Sequence, residues 1–409
     1  MHDPCRGSRP AGSAEDRPVR CRVVPLASSS PPVRPRESRR AIRRYPQMQI
    51  CKLLRRQTPK ACNLKPPHDR KIDSTSMAWA ILHGRLVKQA IEPDLEAVFL
   101  PDSYGYRPGK SALDAVGVTR QRCWKYDWVL EFDIKGLFDN LPHDLLLKAV
   151  RKHVKCKWAP LYIERWLTAP MEKNGEILER TRGTPQGGVV SPCLANLFMH
   201  YAFDLWMTRT YPDLPWCRYA DDGLVHCRSE QQAEAVKAEH GARLAECGLQ
   251  MHPTKTKIVY CKDNRRKGNY PNVVFDFLGY QFRPRQVGNK QDGSFFCGYT
   301  PAVSPTAMKS MRETLRGLNI PRRTPAALAD IAREVNPLLR GWIAYYGRFS
   351  RSTLNMVAIY VNRKLRDWVM RKFKRVQCKT GASLFLRELA QNNPGLFEHW
   401  KVFGTTTFA

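Results

Sequence analysis

Over residues 1–76 the hydrophobic positions show almost no period. The stretches GSRPAGSAEDRPVR and ASSSPPVRPRESRR are rich in Pro, Ser and Arg, the texture of a segment that cannot bury enough apolar surface to fold. An atypical basic, disordered N-terminal segment is expected there. From Gly84 the pattern turns helical: Leu86, Val87, Ala90, Ile91, Leu95 and Val98 recur at mixed three- and four-residue spacing, and a folded domain is expected to begin. WVLEFDIKGLFDNL reads as a β-branched and aromatic strand running into a turn, and PHDLLLKAVRKHV as the next helix, with Pro142 in its first turn. FDFLGYQFRPR reads as a second, alternating aromatic strand. WCRY and GLVHC flank Ala220-Asp221-Asp222-Gly223 as two short strands, which puts that tetrapeptide at the tip of a hairpin.

Beyond residue 300 the period is helical. Ser304-Pro305 and Thr324-Pro325 each set a capping hydroxyl before a proline suited to a first turn, marking two helix starts. Leu354, Val357, Val361, Leu365 and Trp368 fall on one helical face, while Arg363, Arg366, Arg371 and Lys374 project to the other. No internal repeat is present.

Charge narrows the choice of partner. The 409 residues carry a formal net charge of +31, so a polyanion is the expected partner and nucleic acid fits it best. The excess is spread along the chain: 18 Lys and Arg against 6 Asp and Glu in residues 1–80, and 19 against 6 in residues 301–409. The first segment reads as a solvated tail or as an RNA-binding arm. No apolar run of membrane-spanning length appears, nor the apolar core of a secretory signal, so no membrane association and a cytoplasmic location are expected. The 13 cysteines include no C-x-x-C pair and read as reduced packing residues.

Within this basic chain the acids stand out. An Asp-Asp-Gly turn by itself is most simply a solvent-facing turn. Asp133, however, ends an otherwise apolar strand, where an unpaired carboxylate is costly to desolvate. If Asp133 lies beside Asp221 and Asp222, their mutual repulsion calls for cations. Two Mg²⁺ ions suit oxygen ligands and serve in-line phosphoryl displacement.

The segments FDIKGLFDNLPH, RGTPQGGVVSPCLANLFMH, RYADDGLVHC, GLQMHPTKTKIVY and FDFLGYQFRPR resemble, in order and spacing, the motifs of reverse transcriptases. NPLLRGWIAYYGRFS and the following LNMVAIYVNRKLRDWVMRK resemble the maturase domain of group II introns. The resemblance, to group II intron-encoded reverse transcriptase/maturases, covers roughly residues 84–376. It implies an α+β fold: a right-hand polymerase palm of antiparallel sheet and packed helices with partial fingers over 84–290, an α-helical thumb and maturase domain over 304–385, and a C-terminal tail over 386–409. It implies RNA-directed DNA polymerisation and assistance to intron splicing. Asp133, Asp221 and Asp222 would be the catalytic metal ligands, with the Ile134 carbonyl as a further ligand to two Mg²⁺ or Mn²⁺ ions. Phe138 would gate against a ribose 2′-hydroxyl. Gln186, Gly187, Tyr219, Ala220 and Lys255 would meet the incoming nucleotide, Gly188 would allow close backbone approach, and Phe277, Leu278, Gly279 and Tyr280 would grip the primer.

In the helical region Arg340, Tyr345, Tyr346, Arg363, Arg366, Arg371 and Lys374 would contact RNA, with Trp342 in the core. The partners implied are group II intron RNA, an RNA template, a DNA primer and deoxynucleoside triphosphates; a homodimer stays open. Two departures accompany the match. The basic fingertip segment expected before Gly84 is replaced by RKIDSTSMAWAILHG, as if the 5′ part of the frame were disrupted, and no cysteine-paired endonuclease segment follows the maturase stretch. A catalytically impaired remnant acting only as an RNA-binding splicing factor is the alternative reading.

Overall fold

The computed structural model describes residues 74–409 except 174–175, 186–187, 289–291, 377 and 409, with side chains described from residue 83 onward outside 171–178. The expectation of a disordered N-terminal segment and the missing fingertip motif fall largely outside the described residues. Helix α1 spans Ser74–Glu96, so helical structure begins ten residues before the Gly84 boundary expected. It buries Val87, Ile91 and Leu95, the three-and-four stripe legible in the sequence. Helix α2, Ala112–Cys123, opens on a Ser111–Asp114 capping box, in which each partner satisfies a backbone donor at the helix end.

Strand β1, Trp128–Phe132, leads through the short helix α3, Leu137–Asn140, to α4, His143–His153. Pro142 caps α4 from outside rather than entering its first turn. Helix α5, Ala159–Thr168, and a ribbon of β2, Met171–Lys173, with β3, Glu176–Leu178, follow. Helix α6, Ser191–Met199, continues through a π-helical turn, His200–Asp204, into α7, Leu205–Thr210. Then come β4, Trp216–Tyr219, β5, Asp222–Cys227, α8, Glu230–Glu246, and β6, Lys257–Tyr260. The four strands form one antiparallel sheet in the order β4-β5-β1-β6. Side chains alternate across it as the strand period requires. Trp128, Leu130, Phe132, Val225 and Ile258 enter a core shared with α1, α4, α6 and α8, and Val129, Cys217, Leu224 and Val259 enter a second core on the opposite face.

That second core is completed by a three-stranded antiparallel sheet of β7, Phe275–Phe277, β8, Tyr280–Gly288, and β9, Phe295–Val303. FDFLGYQFRPR is therefore two strands joined at Leu278-Gly279, not the single strand expected. Both turn residues have positive φ, 52° and 76°, the backbone that matches a two-residue hairpin to the twist of its strands.

The remainder is helical: α9, Pro305–Gly317, α10, Leu328–Tyr346, α11, Asn355–Lys372, α12, Lys379–Asn392, and α13, Glu398–Phe403. The Ser304 hydroxyl accepts from Ala307 N–H at 3.1 Å and caps α9 as expected. Thr324-Pro325 starts no helix; α10 begins at Leu328, where Asp330 accepts from the Ala327 N–H. The expected face of α11, with Val357, Val361, Leu365 and Trp368, is buried, and Trp342 packs against the same core. Residues expected as a tail are part of this core: Phe397, Trp400 and Phe408 are buried, and Asn362 Oδ1 accepts from both His399 Nε2 and Trp400 Nε1. All nine cysteines among the described residues are free, six of them buried.

Candidate active site

Register brings the acids together. Phe132 lies opposite Gly223 across the β1–β5 ladder, so Asp133 emerges beside Asp222. Tyr219 pairs with Asp222, leaving only Ala220 and Asp221 in the hairpin turn. Gly223 is dictated by its neighbour: a Cβ there would lie 2.1 Å from the buried ring of Phe132. Asp133 and Asp222 line one cleft of about 220 Å³ with Glu131, Thr254, Lys255, Lys257, Asp276 and Phe277. Asp221 stands on the turn, beside this lining and not part of it.

The electrostatics are those of crowded anions. Desolvation pushes the Asp222 carboxyl up to about 6, the charges of Asp221 and Asp133 add to the push, and Lys255 opposes it. Asp221 is raised by desolvation and then by Asp133. Lys255 Nζ donates to Asp133 Oδ2 at 2.6 Å, and that bond holds the ammonium above its ordinary pKa. The hard oxygen donors and their uncompensated charge fit divalent cations such as Mg²⁺ or Mn²⁺. Yet among the described residues no three His, Cys, Asp or Glu side chains are gathered into a ready set of metal ligands. Asp133 and Asp222 share the cleft while Asp221 stands on the turn beside it, near enough that Asp133 and Asp221 both act on Asp222. Ile134 forms an isolated backbone bridge with Met251, with its side chain in the core.

Sequence reasoning missed several groups here. Glu131, two residues before Asp133, shares the cleft; desolvation, with Asp276 and Asp222 adding, pushes it up to about 8 against Lys257, and its Oε2 has no hydrogen-bond partner. More telling is Arg218. It is fully buried and donates through Nε and Nη2 to the two oxygens of buried Asp204 at 2.7 Å, through Nη2 also to Ser103 Oγ at 2.9 Å, and through Nη1 to Asn196 Oδ1 at 3.1 Å and the Ala220 carbonyl at 2.9 Å. Breaking such a buried pair by removing one member costs about 3–5 kcal/mol. The signal was legible: one arginine in the apolar strand WCRY and one aspartate in the apolar helix NLFMHYAFDLWM.

The other expected residues are distributed around this centre. Phe138, half-buried on α3, accepts through its carbonyl from Thr184 N–H at 2.7 Å, which seats Thr184 beside α3. Gln186 and Gly187 lie outside the described residues. A Cβ on Gly188 would be 2.6 Å from Ser191 Oγ, so that glycine serves a close turn before α6. Tyr219 is half-buried, with its ring 6.1 Å from that of Tyr106.

Phe277 and Tyr280 are buried on either side of the Leu278-Gly279 turn. Tyr345 and Tyr346, expected to meet RNA, are half-buried and close over this turn: Tyr345 OH donates to the Leu278 carbonyl at 2.9 Å, Tyr280 OH donates to the Tyr345 carbonyl, and a Cβ on Gly279 would be 2.8 Å from Tyr346 OH. Tyrosines so engaged are packing groups first. Arg340 is exposed but paired with Glu398 at 3.0 Å. Arg363, Arg371 and Lys374 are exposed, Arg363 lying over the Tyr360 ring, whereas Arg366 is half-buried. No helix among the described residues is long and apolar enough to cross a membrane.

Comparison with known proteins gives these positions a context. Residues 75–282 match the family reverse transcriptase (RNA-dependent DNA polymerase), and residues 308–383 match the group II intron, maturase-specific domain. Protein YkfC of Escherichia coli K12 is 28% identical over 240 residues, covering 48% of this chain and 59% of that protein. The group II intron-encoded protein LtrA of Lactococcus lactis subsp. cremoris is 32% identical over 120 residues, covering 28% of this chain and 20% of the relative. The chain therefore spans well under two thirds of these relatives. Among solved structures, apo telomerase from Candida tropicalis superimposes with a TM-score of 0.41 at 15% identity, over 55% of this chain and 49% of that one. The match over 75–282, followed by the maturase match, establishes the relationship: the chain belongs to the reverse transcriptase family and carries a group II intron maturase-specific domain after its polymerase region.

Proposed function

We propose that this chain is an RNA-directed DNA polymerase that adds deoxynucleotides to a primer 3′-hydroxyl, and that its helical region binds group II intron RNA as a maturase. The observation that supports the first part best is the register that sets Asp133 beside Asp222 in one cleft with Asp221 on the adjoining turn. Asp133, Asp221 and Asp222 would hold a pair of Mg²⁺ ions. When bound, these supply Lewis acidity at the attacking hydroxyl and charge for the leaving pyrophosphate.

The remaining work falls to the chain's own side chains. Lys255, whose ammonium is exposed at the cleft, would face the pyrophosphate and could donate a proton there. Phe138 would stand against the ribose 2′ position, and Tyr219 and Ala220, with Gln186 and Gly187, would meet the nucleotide. The turn Phe277–Tyr280, stiffened by Tyr345 and Tyr346, would hold the primer end. Arg363, Arg366, Arg371, Lys374 and Arg340 would meet RNA phosphates, a role that long cationic side chains suit. Splicing itself needs no protein nucleophile, since the intron RNA supplies its own chemistry.

Primer extension on an RNA template with Mg²⁺, run beside Asp221→Ala, tests the reading. Extension by the wild type and none by the variant is expected. Splicing rescue with no extension by either protein would favour the rival, a non-catalytic RNA-binding splicing factor.

A further inference from the structure

We infer that Arg218 is a positioning residue that fixes the Ala220-Asp221 turn, and with it the carboxylates of Asp221 and Asp222, to the helix that follows the TPQGG loop. All five guanidinium hydrogens are used, and they reach three separate parts of the chain: Asp204 and Asn196 on the α6 helix and its π-helical continuation, Ser103 on the segment before α2, and the Ala220 carbonyl in the turn itself. Ala220 needs such a hold. Its φ of +57° lies in the left-handed region that a residue bearing a Cβ enters at a cost.

Backbone also presses on this turn. A Cβ on Gly105 would lie 2.5 Å from the Ala220 nitrogen, and Asn196 Nδ2 donates to the Gly105 carbonyl at 2.6 Å. Asn196 thus joins both walls of the turn, through its oxygen to Arg218 and through its amide to Gly105. Backbone bonds lock the base of the clamp: Arg218 N–H donates to the Asp102 carbonyl at 3.0 Å, and the Arg218 carbonyl accepts from Tyr104 N–H at 2.8 Å. A lysine could keep the charge opposite Asp204 but could not present the planar fork that meets Asp204, Asn196, Ser103 and Ala220 at once. The clamp would hold Asp221 and Asp222 together against their own repulsion, so that a cation finds them in place instead of gathering them.

This inference rests on the metal-binding role proposed for those acids, and its test is chosen to stand apart from polymerisation. Mn²⁺ binding to the full chain, free of nucleic acid, is followed by electron paramagnetic resonance for the wild type and for Arg218→Lys, with thermal unfolding of each. Arg218→Lys is expected to unfold cooperatively but bind Mn²⁺ at least fivefold more weakly. Wild-type affinity in a folded Arg218→Lys overturns the inference. Should that variant fail to fold, Ser103→Ala decides, because it removes one bond to the guanidinium outside the turn: a twofold or greater loss of Mn²⁺ affinity in protein that still unfolds cooperatively is expected, and no loss overturns the inference. Wild-type protein that binds Mn²⁺ yet extends no primer would refute the polymerase reading and leave the clamp standing.

Discussion

At the residue scale the site is governed by two kinds of constraint, space and charge. Gly223 is set by space: the Phe132 ring fills the volume a side chain would need. Gly223→Ala is expected to destabilise the chain by about 1–3 kcal/mol, as overpacking of a filled core does, and to lower extension more than the loss of folded protein explains. Thermal unfolding and extension at matched folded fraction check both parts; full activity with an unchanged melting curve would show that the ring moves freely. Asp222 is set by charge. Its carboxyl, raised from 3.8 to about 6 in the folded chain, binds its proton more tightly folded than unfolded. In metal-free protein this group therefore adds stability as pH falls from about 7 toward about 4, and withholds it at higher pH. Asp222→Asn is expected to melt above the wild type at pH 7.5 in a chelator, with the gap narrowing as pH falls through about 6 and closing only near about 4; a gap constant over that range would contradict the desolvation and crowding of this carboxyl.

Elements show which parts of this arrangement the sequence announces. Alternation in WVLEF and the two strands around Ala220-Asp221 are period-two patterns with a short turn, and β1, β4 and β5 follow them closely. The amphipathic face of α11 is equally plain, because buried Val357, Val361, Leu365 and Trp368 repeat at helical spacing. Local patterns fail where tertiary contacts choose. FDFLGYQFRPR alternates on either side of Leu278-Gly279 but shifts phase there, from Phe275 and Phe277 to Tyr280 and Phe282, and the left-handed pair, covered by Tyr345 and Tyr346 from α10, makes two strands of it. Thr324-Pro325 has the chemistry of a helix start, but α10 begins later, where Asp330 reaches back to the chain. The Arg218 clamp joins residues 103, 196, 204 and 218, and its partners are fixed by the fold, although a lone charge in an apolar strand already signals that one must exist.

Over the whole molecule, the two functions proposed draw on opposite charges. A net charge of +31 would gather phosphates, and a small acidic cleft would gather cations within that field. RNA affinity is expected to fall about 10³-fold or more between 50 and 200 mM salt if six or more phosphates are contacted. Arg363→Ala and Arg371→Ala are each expected to reduce the slope of log affinity against log salt by about 1; an affinity indifferent to salt would remove the electrostatic part of the account. The acidic part is tested most directly by single-nucleotide addition to a primer on an RNA template, comparing the wild type with Asp133→Asn. The account predicts Mg²⁺-dependent addition by the wild type and a loss of at least 10³-fold in Asp133→Asn, with RNA affinity and melting temperature retained. Addition by Asp133→Asn at the wild-type rate would contradict it.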